Sequence, residues 1–177
     1  MPTRIDSGTA LPDAEAQCRT LTELIRPQLQ ADTALVGIFS GGAWVAERVG
    51  ELLGGGHAVG MIDVSFYRDD FEKIGLHAKV RPTAISFSVD ERPILLFDDV
   101  LYTGRTTRAA LNVLFDFGRP GKVELAVLAD RGGRQLPIAP DYCAWQVEPA
   151  PGSMLVLDRA DDGRLSWRLE VPGSAHA

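Results

Sequence analysis

Hydrophobic positions along this chain alternate between two patterns. Ala34-Leu-Val-Gly-Ile-Phe39, Val59 to Phe66, Ile94-Leu-Leu-Phe97 and Val123 to Ala129 are short apolar runs bounded by polar or glycine-rich turns. Such runs predict strands buried on both faces of a parallel sheet. Between them the apolar residues move to helical spacing. Trp44, Val45, Val49, Leu52 and Leu53 predict a helix over 43–53 that Gly54-Gly-Gly56 stops, and Ala110, Leu111, Val113, Leu114 and Phe117 predict another over 109–117 that Gly118 caps and Pro120 ends. Asp13, ahead of Cys18, Leu21, Leu24, Ile25 and Leu29, predicts an earlier helix whose last turn Pro27 bends. Ile85-Ser-Phe-Ser-Val89 alternates cleanly and predicts a return strand. Asp161-Asp-Gly163 predicts a hairpin between Met154–Leu157 and Leu165–Leu169. Residues 1–12 read as a loosely ordered arm. The repeated strand-helix order predicts an α/β fold, a mainly parallel open sheet flanked by helices, with ligands in the crevice at the strand C-termini.

The Ile94–Phe97 strand changes the picture, because it runs into Asp98 and Asp99 with no basic residue beside them. Two adjacent carboxylates at the end of a buried strand cost stability unless a cation or a set of hydroxyls engages them. Tyr102-Thr-Gly-Arg-Thr-Thr107 follows, small and hydroxylated around one glycine, and opens the next helix. First-turn N–H groups lack intrahelical partners and carry the positive end of the helix dipole, so this loop is an anion cradle. Thr103, Thr106 and Thr107 add hydroxyl donors. The pattern is not G-x-x-x-x-G-K-[ST], and the lysine of that phosphate loop is missing. Acids before the cradle call for a ligand with a diol or metal on one side and a phosphate on the other, which ribose 5-phosphate provides. The plainer alternative is a strand with two solvated acids and a capped helix. Ser40-Gly-Gly42 likewise reads either as a tight turn or as backbone that approaches a ligand without Cβ interference.

Composition narrows the class. The 177 residues, 45% hydrophobic, suffice for one domain with a core. No apolar run approaches the roughly 18 residues of a membrane span, and the N-terminus lacks the apolar core of a signal peptide, so a cytoplasmic location is expected. Cys18 and Cys143 are isolated and read as reduced and packed, and the three histidines are scattered, with surface positions favoured over metal ligation. The net charge of −6 removes global electrostatic support for nucleic-acid binding without forbidding a local patch.

Ile94 to Thr106 resembles the PRPP-binding signature of type I phosphoribosyltransferases, in which hydrophobic residues run into two acids and a Thr-Gly-x-Thr phosphate loop. Asp98-Asp-Val-Leu-Tyr-Thr-Gly-Arg-Thr106 followed by Phe117-Gly-Arg-Pro120 most closely resembles the PyrR family. Its members are uracil phosphoribosyltransferases, many of which also regulate the pyrimidine operon by binding its messenger RNA. The resemblance spans about residues 14–169.

The resemblance implies one phosphoribosyltransferase domain over 1–177, with a flexible active-site loop at about 68–83 and a hood at about 131–169. It implies formation of UMP and pyrophosphate from uracil and PRPP, with Mg²⁺ bound mainly by the substrate and assisted by Asp98 and Asp99. Those two acids would hold the ribose hydroxyls. Val100, Leu101, Tyr102, Thr103, Gly104, Arg105 and Thr106 would complete the nucleotide site, with 103–106 on the 5-phosphate. Ser40, Gly41 and Gly42 would meet the pyrophosphate. Many members carry arginine where Gly41 stands, so backbone N–H groups would carry more of the anion binding here.

Asp63 to Phe71 is similar to the segment that leads into the flexible loop. Arg68 is its candidate for a phosphate or loop-closing contact, the alternative being an ion pair with Asp69 or Asp70. Arg131 would reach the site, and Leu136–Tyr142 resembles the hood segment that holds uracil through backbone groups. Tyr102 stands where purine-using relatives place an acid, which argues for a pyrimidine. The resemblance also implies a homodimer or larger assembly. RNA is the second partner it implies, through a basic face to which this chain contributes Arg19, Arg26, Arg131 and Arg134. Pro27, Ala139 and Trp145 stand where basic residues would be expected, so weak or absent RNA binding is the expectation.

Overall fold

The computed structural model of the chain describes residues 1–64 and 83–171. Strands β1 (Thr3–Ile5), β2 (Ala34–Ile38), β3 (Val59–Ile62), β4 (Pro93–Leu101), β5 (Lys122–Asp130) and β6 (Tyr142–Pro149) form one sheet in the order β1-β6-β5-β4-β2-β3. Every neighbouring pair in it is parallel. Strands β7 (Met154–Arg159) and β8 (Leu165–Glu170) form a separate antiparallel hairpin. Among the described residues three α-helices flank the sheet: α1 (Ala14–Ile25), α2 (Gly41–Leu52) and α3 (Arg105–Asp116). Among the described residues no helix is long and apolar enough to cross a membrane.

The sheet separates two cores, and β4 shows why its sequence is apolar without alternation. Leu95 and Phe97 pack with α1, α2 and the hairpin, whereas Ile94, Leu96 and Leu101 pack with Ala109, Ala110, Val113 and Leu114 of α3. The connection after β2 therefore lies on one face and the connection after β4 on the other. Because β2 and β4 are neighbours, their C-terminal ends form the point where the winding reverses, the crevice in which open α/β sheets bind ligands.

Helix α1 begins where Asp13 accepts a hydrogen bond from the Glu15 N–H at 3.1 Å, and a 3-10 turn over Arg26–Gln28 ends it at Pro27. Cys18, Leu21 and Ile25 are buried, but Leu24 is exposed. Burial pushes the Cys18 thiol up to about 12, with the Glu15 carboxylate adding to the shift, so it holds its proton at neutral pH. The hairpin packs on this helix through Trp167, whose Nε1 donates to Gln17 Oε1 at 2.5 Å. Both side chains are buried. Trp167→Phe keeps a six-membered aromatic ring but removes the pyrrole and leaves the Gln17 oxygen without a donor, an expected loss of at least about 1–3 kcal/mol. Thermal unfolding should show a drop of roughly 2–4 °C per kcal/mol, and an unchanged Tm would mean that neither the bond nor the indole packing adds stability.

The structure departs from the sequence expectations in several places. The arm is not loose throughout: Thr3–Ile5 pairs with Val147–Pro149 and buries Ile5, a partnership across more than 140 residues that three residues cannot announce. Tyr142–Pro149 is a strand of the main sheet, which its weak alternation hid. Ile85–Val89 is not a strand. Among the described residues only Ala84 bridges Met61, and the alternation serves packing, with Val89 in the α3 core and Phe87 against Gly60. Strand β4 continues through both acids to Leu101, and α2 and α3 start at Gly41 and Arg105, several residues ahead of their apolar faces. The anticipated loop at about 68–83 lies, but for residue 83, outside the described residues.

Candidate active site

Three strand ends converge on one cleft. Its volume is about 810 Å³, and it is lined by residues 39–41 after β2, 98–107 from β4 into α3, Arg131 and Gln135 after β5, and Met154–Val156 of β7. Of the residues singled out from sequence, Ser40, Gly41, Asp98, Asp99, Val100, Leu101, Tyr102, Thr103, Gly104, Arg105, Thr106 and Arg131 all line it. Gly42 stands just behind the lining, and Arg68 lies outside the described residues.

Asp98 is 5% exposed and accepts a hydrogen bond from the Asp99 N–H at 3.1 Å. Asp99 is less buried and turns toward α2. A Cβ built on Gly41 would overlap the Asp99 carboxylate, and one built on Gly42 would overlap the Phe97 carbonyl oxygen. Glycine at both positions lets the first turn of α2 lie directly on the end of β4. That turn has no side-chain cap: Ser40 makes no capping bond, and the Phe39–Ser40 peptide is cis.

The opposite wall is the first turn of α3. Gly104 adopts φ 88° at its N-cap, again without a side-chain cap, and the Arg105 N–H donates to Thr103 Oγ1 at 3.3 Å. Thr107 Oγ1 is buried and has no hydrogen-bond partner among the described residues, a hydroxyl available to an oxyanion at this turn. Two uncapped helix N-termini thus line one cleft together with an acid pair. Each terminus offers unsatisfied N–H groups and partial positive charge to an anion.

The remaining wall is built around Tyr102. The Arg131 guanidinium carbon lies 4.2 Å from the Tyr102 ring centroid, and Arg131 Nη2 donates to the Ser153 carbonyl at 3.2 Å. Gly133, at φ 73°, passes so close to the ring that a Cβ there would overlap it. Gln135 holds the phosphate-loop candidate from outside: its N–H donates to Thr103 O at 3.0 Å, and its Oε1 accepts from Arg105 Nε at 3.0 Å. Sequence reasoning missed Gln135 and the β7 residues Met154, Leu155 and Val156, since β7 was read only as half of a hairpin. Its apolar character was visible, but nothing local indicated that it borders the cleft.

The phosphoribosyl transferase domain family matches this chain over residues 6–153. The Bifunctional protein PyrR of Ralstonia nicotianae is 50% identical over 155 residues, which cover 85% of this chain and 88% of that protein. The chain belongs to the PyrR family. The Bifunctional protein PyrR of Nitrosococcus oceani is 45% identical over 154 residues, 86% of this chain and 87% of that relative. Among solved structures, a hypoxanthine phosphoribosyltransferase from Staphylococcus aureus superposes with a TM-score of 0.63 at 18% identity, covering 83% of this chain and 80% of that one. A hypoxanthine-guanine phosphoribosyltransferase from Bacillus anthracis gives a TM-score of 0.64 at 15% identity, covering 85% and 88%. At those identities the structures show the fold, a type I phosphoribosyltransferase sheet, while the PyrR relatives carry the family.

Proposed function

We propose that this PyrR-family chain is a uracil phosphoribosyltransferase that makes UMP and pyrophosphate from uracil and PRPP. The observation that carries the proposal is the acid pair in a cleft walled by two uncapped helix N-termini. PRPP has matching chemistry: a 5-phosphate at one end, a pyrophosphate at the other and a ribose diol between them.

In this reading the 5-phosphate sits on the first turn of α3 with Thr103, Thr106 and Thr107, and the pyrophosphate meets the first turn of α2. Asp98 and Asp99 hold the ribose hydroxyls. As the C1–O bond breaks, positive charge grows on the ribose and negative charge on the departing pyrophosphate. The two carboxylates oppose the first, and the α2 N–H groups the second. Uracil N1 then forms the new bond to C1 and its proton leaves. Tyr102 stands where purine-using relatives place an acid, which in this reading favours a pyrimidine base.

Among the described residues no cluster of three or more His, Cys, Asp or Glu side chains could hold a metal. Asp98 and Asp99 are hard oxygen donors that fit Mg²⁺ as a minority of its ligands, so the ion would enter with PRPP. Bound there, Mg²⁺ neutralises pyrophosphate charge. The deciding experiment is UMP formation from uracil and PRPP by the purified protein, with hypoxanthine as the competing base. Product from hypoxanthine alone would sink the assignment.

The relatives named above are called bifunctional, and RNA-binding regulation is the second activity proposed for this family. The basic residues available for it here are engaged. Arg19 lies 3.7 Å from Asp13, Arg26 bonds Glu23 and the Leu52 carbonyl, Arg131 stacks on Tyr102, and Arg134 pairs with Asp130 at 2.5 Å. With a net charge of −6, weak or absent RNA binding is the expected outcome. A filter-binding titration against a pyrimidine-operon leader RNA measures it, and nanomolar affinity at physiological salt would contradict it.

A further inference from the structure

Arg134 stands behind the cleft rather than in it, yet it ties the cleft wall together. Its Nη1 donates to the Tyr102 carbonyl at 2.8 Å, with Gly132 O at 3.4 Å and Leu101 O at 3.5 Å. Its Nε donates to Ile138 O at 3.0 Å, and Nη2 pairs with Asp130 Oδ2 at 2.5 Å. One guanidinium therefore joins the exit of β4, the exit of β5 and the segment that crosses over them. Only a planar fork with several donors can do this, since an ammonium reaches fewer acceptors from one point. Both members of the ion pair are largely buried, at 23% and 16% side-chain exposure, so the tie is little screened by solvent.

The backbone groups it holds belong to a particular part of the site. Tyr102 and Arg131, flanked by Gly132, form the flat stacked wall. The phosphate end has supports of its own, because Thr103 O accepts the N–H groups of Gln135 and Leu136 and the first turn of α3 is part of a 12-residue helix. With a phosphate on α3 and a ribose over Asp98 and Asp99, the Tyr102–Arg131 stack is the planar surface left for a base. We propose that Arg134 is a positioning residue for the base: it sets the Tyr102–Arg131 wall and so governs base affinity separately from phosphate affinity. The inference rests on the nucleotide reading given above.

Calorimetric titration of the wild type, Arg134→Lys and Arg134→Gln with UMP and with ribose 5-phosphate tests it. Arg134→Lys keeps a cation opposite Asp130 but loses the fork, which guards against a variant that simply fails to fold. The expected result is UMP binding weakened about 5-fold in Arg134→Lys and at least about 20-fold in Arg134→Gln, with ribose 5-phosphate affinity changed by less than about 3-fold in both. Should Arg134→Gln lose its native circular dichroism, the lysine variant alone decides. Equal losses for both ligands, or no loss for either, would overturn the proposal. Wild type that binds no UMP would overturn the nucleotide reading and this inference with it. Wild type that binds UMP beside variants that discriminate no differently overturns this inference only.

Discussion

Asp98→Asn is expected to lower kcat/KM for UMP formation at least ~100-fold, on the order of 2.7 kcal/mol of transition-state stabilisation. Asp98 lines the cleft and is 5% exposed, so its charge acts through little water. Asparagine preserves shape and the ability to accept from the Asp99 N–H, but it removes the negative field from a reaction that develops a ribosyl cation. Because the charge is needed more in the transition state than in the ground state, kcat should carry most of the loss and KM for PRPP little. Steady-state kinetics beside a circular-dichroism melt separate this outcome from misfolding. Activity within about threefold of wild type, in a folded variant, would remove Asp98 from the chemistry assigned to it.

Gly41→Ala is expected to be nearly as damaging, although it adds a single methyl group at a position with no chemistry of its own. The Asp99 carboxylate lies where that methyl would go, so either Asp99 rotates off the ribose position or the first turn of α2 lifts from β4. Each displaces a charged group in a site where a 1 Å error can cost about 100-fold. Gly41→Arg should fare no better, because the Asp99 carboxylate already takes the space. The cause can be isolated with a double-mutant cycle. On an Asp99→Ala background most of the overlapping atoms are gone, and the cost of Gly41→Ala should shrink by at least about 1 kcal/mol. Strict additivity of the two kinetic losses would show that the methyl group acts by some other route.

Both predictions join a residue in the main motif to a contact that the motif does not display. Asp98, Asp99 and the 103–107 turn could be read as a sugar-phosphate site because strand, acids, hydroxyls and helix follow one another within fourteen residues. Gly41 could be read only as an open backbone position. That it faces Asp99 depends on β2 and β4 being neighbours, with the Ala34–Gly37 stretch in register with Ile94–Phe97. Arg134 shows the same dependence. An arginine after a core strand in a polar stretch counts as surface charge until the Tyr102 and Ile138 carbonyls are seen to surround it.

By itself, the sequence determined the parallel α/β architecture, the three helices seen among the described residues, the C-terminal hairpin and the glycine turn that opens α3. Each of these is written in residues close together, where hydrophobic period, capping residues and turn chemistry act over a few positions. Only the tertiary structure decided that two helix N-termini meet the same acid pair, that β7 borders the cleft, that Thr3–Ile5 extends the sheet and that Arg134 points inward. Those facts depend on which strands lie side by side. Strand pairing joins segments separated by tens to more than a hundred residues, and such partners share no local period in the chain.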